Sequence, residues 1–111
     1  MIETRVINWL SDMLDVPVSA EEPESRPESY VVVMKTGSGG DEHVKTATIA
    51  VQSCAPTLYQ AAVLNGMVIT AMEHFTERSD VTRCRRNSDY NYTDTKKKKY
   101  RYQAVFDITY Y

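Results

Sequence analysis

The sequence predicts a two-layer α+β fold, with two helices packed on one face of a mostly antiparallel sheet in the order α-β-β-β-α-β-β. Three observations carry this. From Tyr100 to Tyr111 the segment YRYQAVFDITYY alternates with period two: Tyr100, Tyr102, Ala104, Phe106, Ile108 and Tyr110 share one face, and Arg101, Gln103, Val105, Asp107 and Thr109 the other. Near the start, Ile2, Val6, Trp9, Leu10, Met13 and Leu14 recur at three-to-four spacing, which places them on one stripe of a helix. Between these segments Leu58, Ala61, Ala62, Val68, Ile69, Met72 and Phe75 keep helical spacing over about five turns. Short connections then place both helices against one face of the sheet.

Taken in order, the first helix ends at Pro17, and Val16 to Ala20 reads as a short strand that the proline restricts to an edge. EEPESRPE, Glu21 to Glu28, is an exposed connection whose prolines direct the chain into an extended segment from Ser29 to Lys35. TGSGGDE, Thr36 to Glu42, holds three of the four glycines, so a hairpin reversal is expected there. Val44 to Ser53 returns with Ala47, Ile49, Val51 and Ser53 on one side and Thr46, Thr48, Ala50 and Gln52 on the other. Thr57, with Gln60 three residues later, has the capping-box pattern that opens the second helix, in which Gly66 is a weak spot or a contact point. A strand from Val81 to Arg86 leads into NSDYNYTDT, read as a long hairpin tip, before Lys96 to Lys99 enters the final strand. Chain ends fray unless paired, so that final strand is expected to be held between neighbouring strands or subunits.

At 111 residues the chain fits one domain that buries roughly two thirds of its unfolded surface. Its 42% apolar and 25% charged content is that of a globular chain, no apolar run is long enough to cross a membrane, and Glu3 near the start argues against a secretory signal. A soluble, cytoplasmic protein is the expectation. Cys54 and Cys84 lack CxxC spacing and read as buried thiols in preference to a disulfide. His43 and His74 are far apart without carboxylate or cysteine at ligand spacing, GSGG lacks the Lys and Ser/Thr of a phosphate loop, and Asp89, Asp94 and Asp107 are scattered. Neither enzyme activity nor a cofactor is expected.

The formal net charge of −2 hides a polarised molecule: residues 1–55 carry −5 and residues 56–111 carry +3. Glu21, Glu22, Glu24 and Glu28 crowd one loop, while Arg83, Arg85, Arg86, Lys96, Lys97, Lys98, Lys99 and Arg101 form a basic hairpin interleaved with Tyr90, Tyr92, Tyr100 and Tyr102. If the limbs pair antiparallel, the charges are expected at one end of two adjacent strands, as a ribbon able to track phosphates or stack single-stranded bases. The plainer reading, a solvated hairpin protected from edge pairing by its lysines, carries more weight for an isolated chain. Trp9, Tyr110 and Tyr111 are open between core and subunit interface.

Four features occur together: Arg26 and Pro27 before a strand led by Tyr30, the turn with Thr36, Gly37, Gly39 and Gly40, the strand ending in CAPT before an Ala-rich helix, and the terminal Arg101-Tyr102-Gln103 strand. In order and spacing, over nearly the whole chain, they resemble the tail-terminator or tail-completion (minor tail) proteins of long-tailed bacteriophages and prophages. The tip from Asn87 to Thr95 departs from the resemblance. What it implies is a homo-oligomeric ring, usually of six subunits, that caps the tail tube and joins the head-side connector in the virion after assembly in the host cytoplasm. Its partners would be copies of itself, the tail tube protein, the head-tail connector protein and, transiently, DNA in the channel, with no membrane involved. On that reading the basic residues face the lumen or an adjacent ring, and Glu21, Glu22, Glu24, Glu28, Tyr110 and Tyr111 lie at the subunit interface. A head-closure or adaptor ring and a small nucleic-acid-binding module are the alternatives.

Overall fold

The computed structural model describes residues 1–25 and 27–111; Arg26, one carrier of the resemblance, lies outside the described residues. The chain runs α1 (Ile2–Met13), β1 (Val18–Ser19), β2 (Tyr30–Gly40), β3 (Lys45–Ala55), α2 (Leu58–Glu73), a 3-10 turn (Phe75–Glu77), β4 (Val81–Asn91) and β5 (Tyr100–Tyr110). The strands form one sheet in the order β1-β2-β3-β5-β4, in which only β1 and β2 are parallel. This is the expected α+β architecture and element order. The short edge strand after Pro17 forms as expected, tied to β2 where Val31 N–H donates to the Pro17 carbonyl at 2.9 Å.

Both helices cover the same face. Ile2, Val6 and Leu10 of α1 and Ala61, Leu64, Val68, Ala71 and Met72 of α2 are buried with Val31 and Val33 of β2, Ala47, Ile49 and Val51 of β3, and Ala104, Phe106 and Ile108 of β5. The alternation in β3 and β5 follows directly, since every second residue meets the helices. Thr57 Oγ1 accepts from Gln60 N–H at 3.1 Å, supplying the N-cap that the sequence encodes. Trp9 belongs to the core edge: its indole Nε1–H donates to the Ala71 carbonyl at 2.8 Å and its ring meets Phe75 edge-on at 5.9 Å, joining α1 to the end of α2.

Several expectations are corrected. The glycine segment is the outer half of β2, where Gly37, Ser38, Gly39 and Gly40 pair with Thr48, Ala47, Thr46 and Lys45 after a bulge. The reversal falls one step later, where Asp41 accepts from the N–H groups of His43 and Val44 at 2.9 and 2.8 Å, and only Gly40 uses its freedom, at φ 96°. β4 runs to Asn91, taking in half of the segment read as a tip, and the lysines form the turn instead of entering β5. Met13 and Leu58 leave the apolar stripes for the surface, and Phe75 packs from the 3-10 turn. One expectation is met: β5 lies between β3 and β4, so the final strand is held between neighbouring strands of its own sheet. Its last residues are further tied: Tyr111 N–H donates to the Asp80 carbonyl at 3.0 Å, the Tyr111 carbonyl accepts from Arg5 at 2.9 Å, and the Arg5 guanidinium lies 5.1 Å from the Tyr110 ring centre. These contacts place Tyr110 and Tyr111 against α1 of the same chain.

Core position decides two outcomes. Phe106 is fully buried at the centre of the sheet, so Phe106→Ala should cost about 3–5 kcal/mol in urea unfolding. Ser53 is also fully buried on the helix side, but its hydroxyl has no partner among the described residues. Ser53→Ala, which removes that unpaired group, should leave stability unchanged or raise it by about 1 kcal/mol in the same measurement.

Candidate functional site

The sheet has a second face that no helix covers. It carries Tyr30, Val32 and Met34 from β2, Cys54, Gln52 and Thr48 from β3, Arg101, Gln103 and Asp107 from β5, and Tyr90, Arg85 and Arg83 from β4, a grouping set by the register. A hydrogen-bond chain crosses it: Gln52 Nε2 donates to Gln103 Oε1 at 2.9 Å, and Gln103 Nε2 donates to Tyr90 Oη at 2.6 Å. Farther along, Asp107 accepts from Thr48 at 3.1 Å and from Asn87 at 3.0 Å.

Register divides the basic cluster. Arg83, Arg85 and Arg86 stand opposite Thr109, Asp107 and Phe106, near the terminal end of β5, whereas Lys96 to Lys99 occupy the turn beyond Tyr100. At about 3.3 Å per residue the two groups are roughly 20 Å apart, so the charges do not fall at one end of the hairpin. The basic residues also differ in direction. Arg83 and Arg85 face the helix-free side, while Arg86 turns to the helix side and lies 3.9 Å from Asp89, which in turn accepts from the buried Asn65 at 3.1 Å. Arg101 is engaged locally, its Nε–H donating to the Tyr92 carbonyl at 2.8 Å with the guanidinium 4.9 Å from the Tyr92 ring centre. Arg83 and Arg85 have no ion pair among the described residues.

The acidic loop and the lysine turn, which the resemblance left to meet between subunits, touch within one chain. Glu22 accepts from the Tyr30 hydroxyl at 2.8 Å and lies 3.4 Å from Lys99 Nζ, so the loop is pinned over the Tyr30 end of the sheet. Glu21, Glu24 and Glu28 are exposed beside it, as are Lys96, Lys97 and Lys98. Burial, reinforced by the Glu22 hydrogen bond, pushes the Tyr30 phenol well above its usual range.

Residues considered for chemistry stay apart. His43 sits on the β2–β3 turn, and His74 ends α2 with its Nδ1 2.8 Å from Glu77. No group of three or more His, Cys, Asp or Glu placed to hold a metal occurs among the described residues. Cys54 and Cys84 are free and on opposite faces of the sheet, Cys54 beside Tyr30 and Cys84 against the helix-side core. Among the described residues no helix is long and apolar enough to cross a membrane. No protein-family model matches the chain, and no curated protein matches it.

One surface was missed by sequence reasoning. The outer side of α2 presents Tyr59, Val63 and Met67 to solvent, and the readable signal is a run from Leu58 to Met72 without a single charged residue. An exposed helix ordinarily alternates apolar and charged faces; one that is apolar all round is covered on both sides.

Burial pushes the Cys84 thiol from its ordinary 9.0 up to about 12 and also raises Cys54, for which the Tyr30 hydrogen bond acts the other way. All three groups, Tyr30 included, are held neutral in the fold. The unfolded chain therefore releases protons first, and the stability tied to these groups is complete below about pH 9 and declines as pH rises toward 12. The urea midpoint should fall over that window, and Cys84→Val should flatten part of the decline.

Proposed function

We propose that this chain is a structural subunit of a closed head-to-tail ring at the end of a phage tail tube, acting through surfaces and not through chemistry. The observation that carries the reading is the placement of charge on the sheet. The acidic loop joins β1 to β2 on one side, while Arg83 and Arg85, without an ion pair among the described residues, stand on β4, the opposite edge. A molecule with complementary charge on opposite sides is suited to repeat itself by rotation, and such heterologous contacts form a ring where the rotation closes.

The geometry adds a constraint. Four interstrand steps separate the two edges, about 19 Å, and the arginines lie roughly 20 Å farther along the strands than the acidic loop. Matching the corners of successive copies requires the strands to tilt on the order of 45° from the ring axis. The edge itself is guarded: β4 has bulges between Val81 and Arg83 and between Arg86 and Ser88, which interrupt indiscriminate strand addition and leave side chains to choose the partner. The exposed Lys96, Lys97 and Lys98 project from the sheet end and supply sequence-independent attraction for DNA in a channel.

A free nucleic-acid-binding module draws on a different observation, the exposed Tyr90 and Tyr92, whose rings meet edge-on at 6.0 Å beside Arg101. Stacking on those rings would act in the monomer and fade with salt.

The ring reading is tested by light scattering and negative-stain microscopy of purified protein with and without tail tubes. Ring-sized particles are expected, and the double charge reversal Arg83→Glu with Arg85→Glu should abolish them while leaving the circular dichroism spectrum unchanged. A chain that stays monomeric at high concentration with tubes present removes the reading, and DNA binding by that monomer selects the module. Binding of the ring to head-side connectors but not to tubes assigns it to an adaptor position.

A further inference from the structure

The helix layer holds a surface that ring closure through the sheet edges leaves open. Tyr59 is 79% exposed, Val63 46% and Met67 47% on α2, with Met13 of α1 beside them at 47%. At 100° per residue, Tyr59, Val63, Gly66 and Thr70 fall on one narrow stripe directly opposite the buried Ala61, Val68 and Met72. Gly66 has no internal reason to be glycine: a Cβ built there meets nothing within 4 Å. Its cost to the helix relative to alanine is left uncompensated among the described residues. Thr70 turns its hydroxyl back to the Gly66 carbonyl at 3.1 Å, which satisfies the polar atom inside the helix and leaves the methyl group outward.

We infer that this face seats a second copy of the same chain, α2 against α2, antiparallel, across a two-fold axis passing near Gly66. The argument is its self-complementarity. The large knob, Tyr59, lies seven residues before Gly66. The hollow, about 430 Å³, is lined by Met13, Leu14, Thr70, Ala71 and His74 as well as residues around Gly66 itself, and its far end lies four to eight residues after the glycine. Along the helix these are offsets of about 10 Å on one side and 6–12 Å on the other. A two-fold rotation about Gly66 therefore lays each Tyr59 into the partner's hollow, while the glycines let the two backbones approach closely. Charge does not oppose it: from Leu58 to Met72 nothing is charged, and the exposed Glu73 that ends α2 lies about 10 Å along the helix from the axis, so the two copies' Glu73 carboxylates stand roughly 20 Å apart. Antiparallel helices also oppose their dipoles favourably.

The stripe is small. About 22 Å of helix at a width near 10 Å is a few hundred Å² per copy, below the roughly 800 Å² of a standard interface. The pair is consequently weak for free subunits and gains strength only when many copies are presented together, as on facing rings. This contact does not require the ring: it is isologous, uses none of the charged residues, and strengthens with sulfate where the charged contact weakens.

Sedimentation equilibrium of the full chain should show a monomer–dimer equilibrium that Arg83→Glu with Arg85→Glu leaves intact. Val63→Glu, an exposed site where folding is not at stake, should raise the dissociation constant at least about tenfold, and Tyr59→Ser should act in the same direction. Gly66→Cys, oxidised without prior unfolding, should give a single disulfide-linked dimer on a non-reducing gel. If the charge-reversed protein is monomeric to millimolar concentration, or if Val63→Glu dimerises like the wild type, the inference is wrong. If instead Val63→Glu destroys rings and Tyr59→Ser does so equally, the face belongs to a head-to-tail contact and the two-fold pairing is overturned.

Discussion

The antiparallel pairing of β3 with β5 governs everything else in the molecule. It joins residues 45 to 65 positions apart, runs without a bulge from Lys45 opposite Tyr110 to Ala55 opposite Tyr100, and occupies the centre of the sheet. Because side chains alternate with period two, a slip of one residue would exchange Ala104, Phe106 and Ile108 for Gln103, Val105 and Asp107 on the helix side. Burying Asp107 and Gln103 under α2 without partners is costly enough to exclude the slip. Once this pair is fixed, β2 and β4 add on either flank as hairpins, and the two helices have one apolar face to cover. The long sequence separation also means that this contact is closed at an entropic cost, which the Phe106, Ile49 and Val51 cluster must offset.

That central strand pair explains why the two halves of the chain, opposite in net charge, come to lie side by side. The N-terminal half supplies β1, β2 and β3, and the C-terminal half supplies β5 and β4, so the charge asymmetry of the sequence becomes an asymmetry across the sheet. Part of it is neutralised internally where Lys99 meets Glu22. That ion pair is partly exposed and contributes at most about 1 kcal/mol by itself. Its larger effect is positional: with Tyr30 also held by Glu22, the acidic loop is fixed over one end of the sheet.

Much of the fold was legible because it depends on local periodicity. The stripe Ile2, Val6, Leu10, the cap Thr57–Gln60 and the alternation through Phe106 and Ile108 each state their own geometry, and each forms as written. What was hidden depends on pairing across the chain. Gly37 and Gly39 look like turn residues, yet they continue β2 because Thr48 and Thr46 opposite them offer a complete ladder. Asn87 to Asn91 looks like a loop by composition, but the long β5 partner extends it as a strand. The basic residues cluster within one hairpin of the sequence and are divided in space because a hairpin separates its base from its turn by the full strand length. The exposed side of α2 escaped attention for the opposite reason: an apolar helix satisfies every rule for a core element, and only the observed burial shows that one of its two sides is uncovered.

The two uncovered surfaces differ in physical character, and this difference orders what each can do. On the proposed reading, the arginine edge of one copy and the acidic loop of the next would attract over about 8–10 Å at moderate ionic strength, giving orientation and on-rate but little affinity per pair. The α2 stripe has no reach beyond contact, and its favourable term arises only when water is displaced from Tyr59, Val63 and Met67. Charge can therefore set which edge meets which, and apolar burial can act only after copies are already held at the right distance. On the proposed reading, a chain carrying both, on different layers of the same domain, would associate in sequence: through the sheet edges first, where steering operates at a distance, and through the helices afterward, where a weak contact repeated across many copies becomes a strong one.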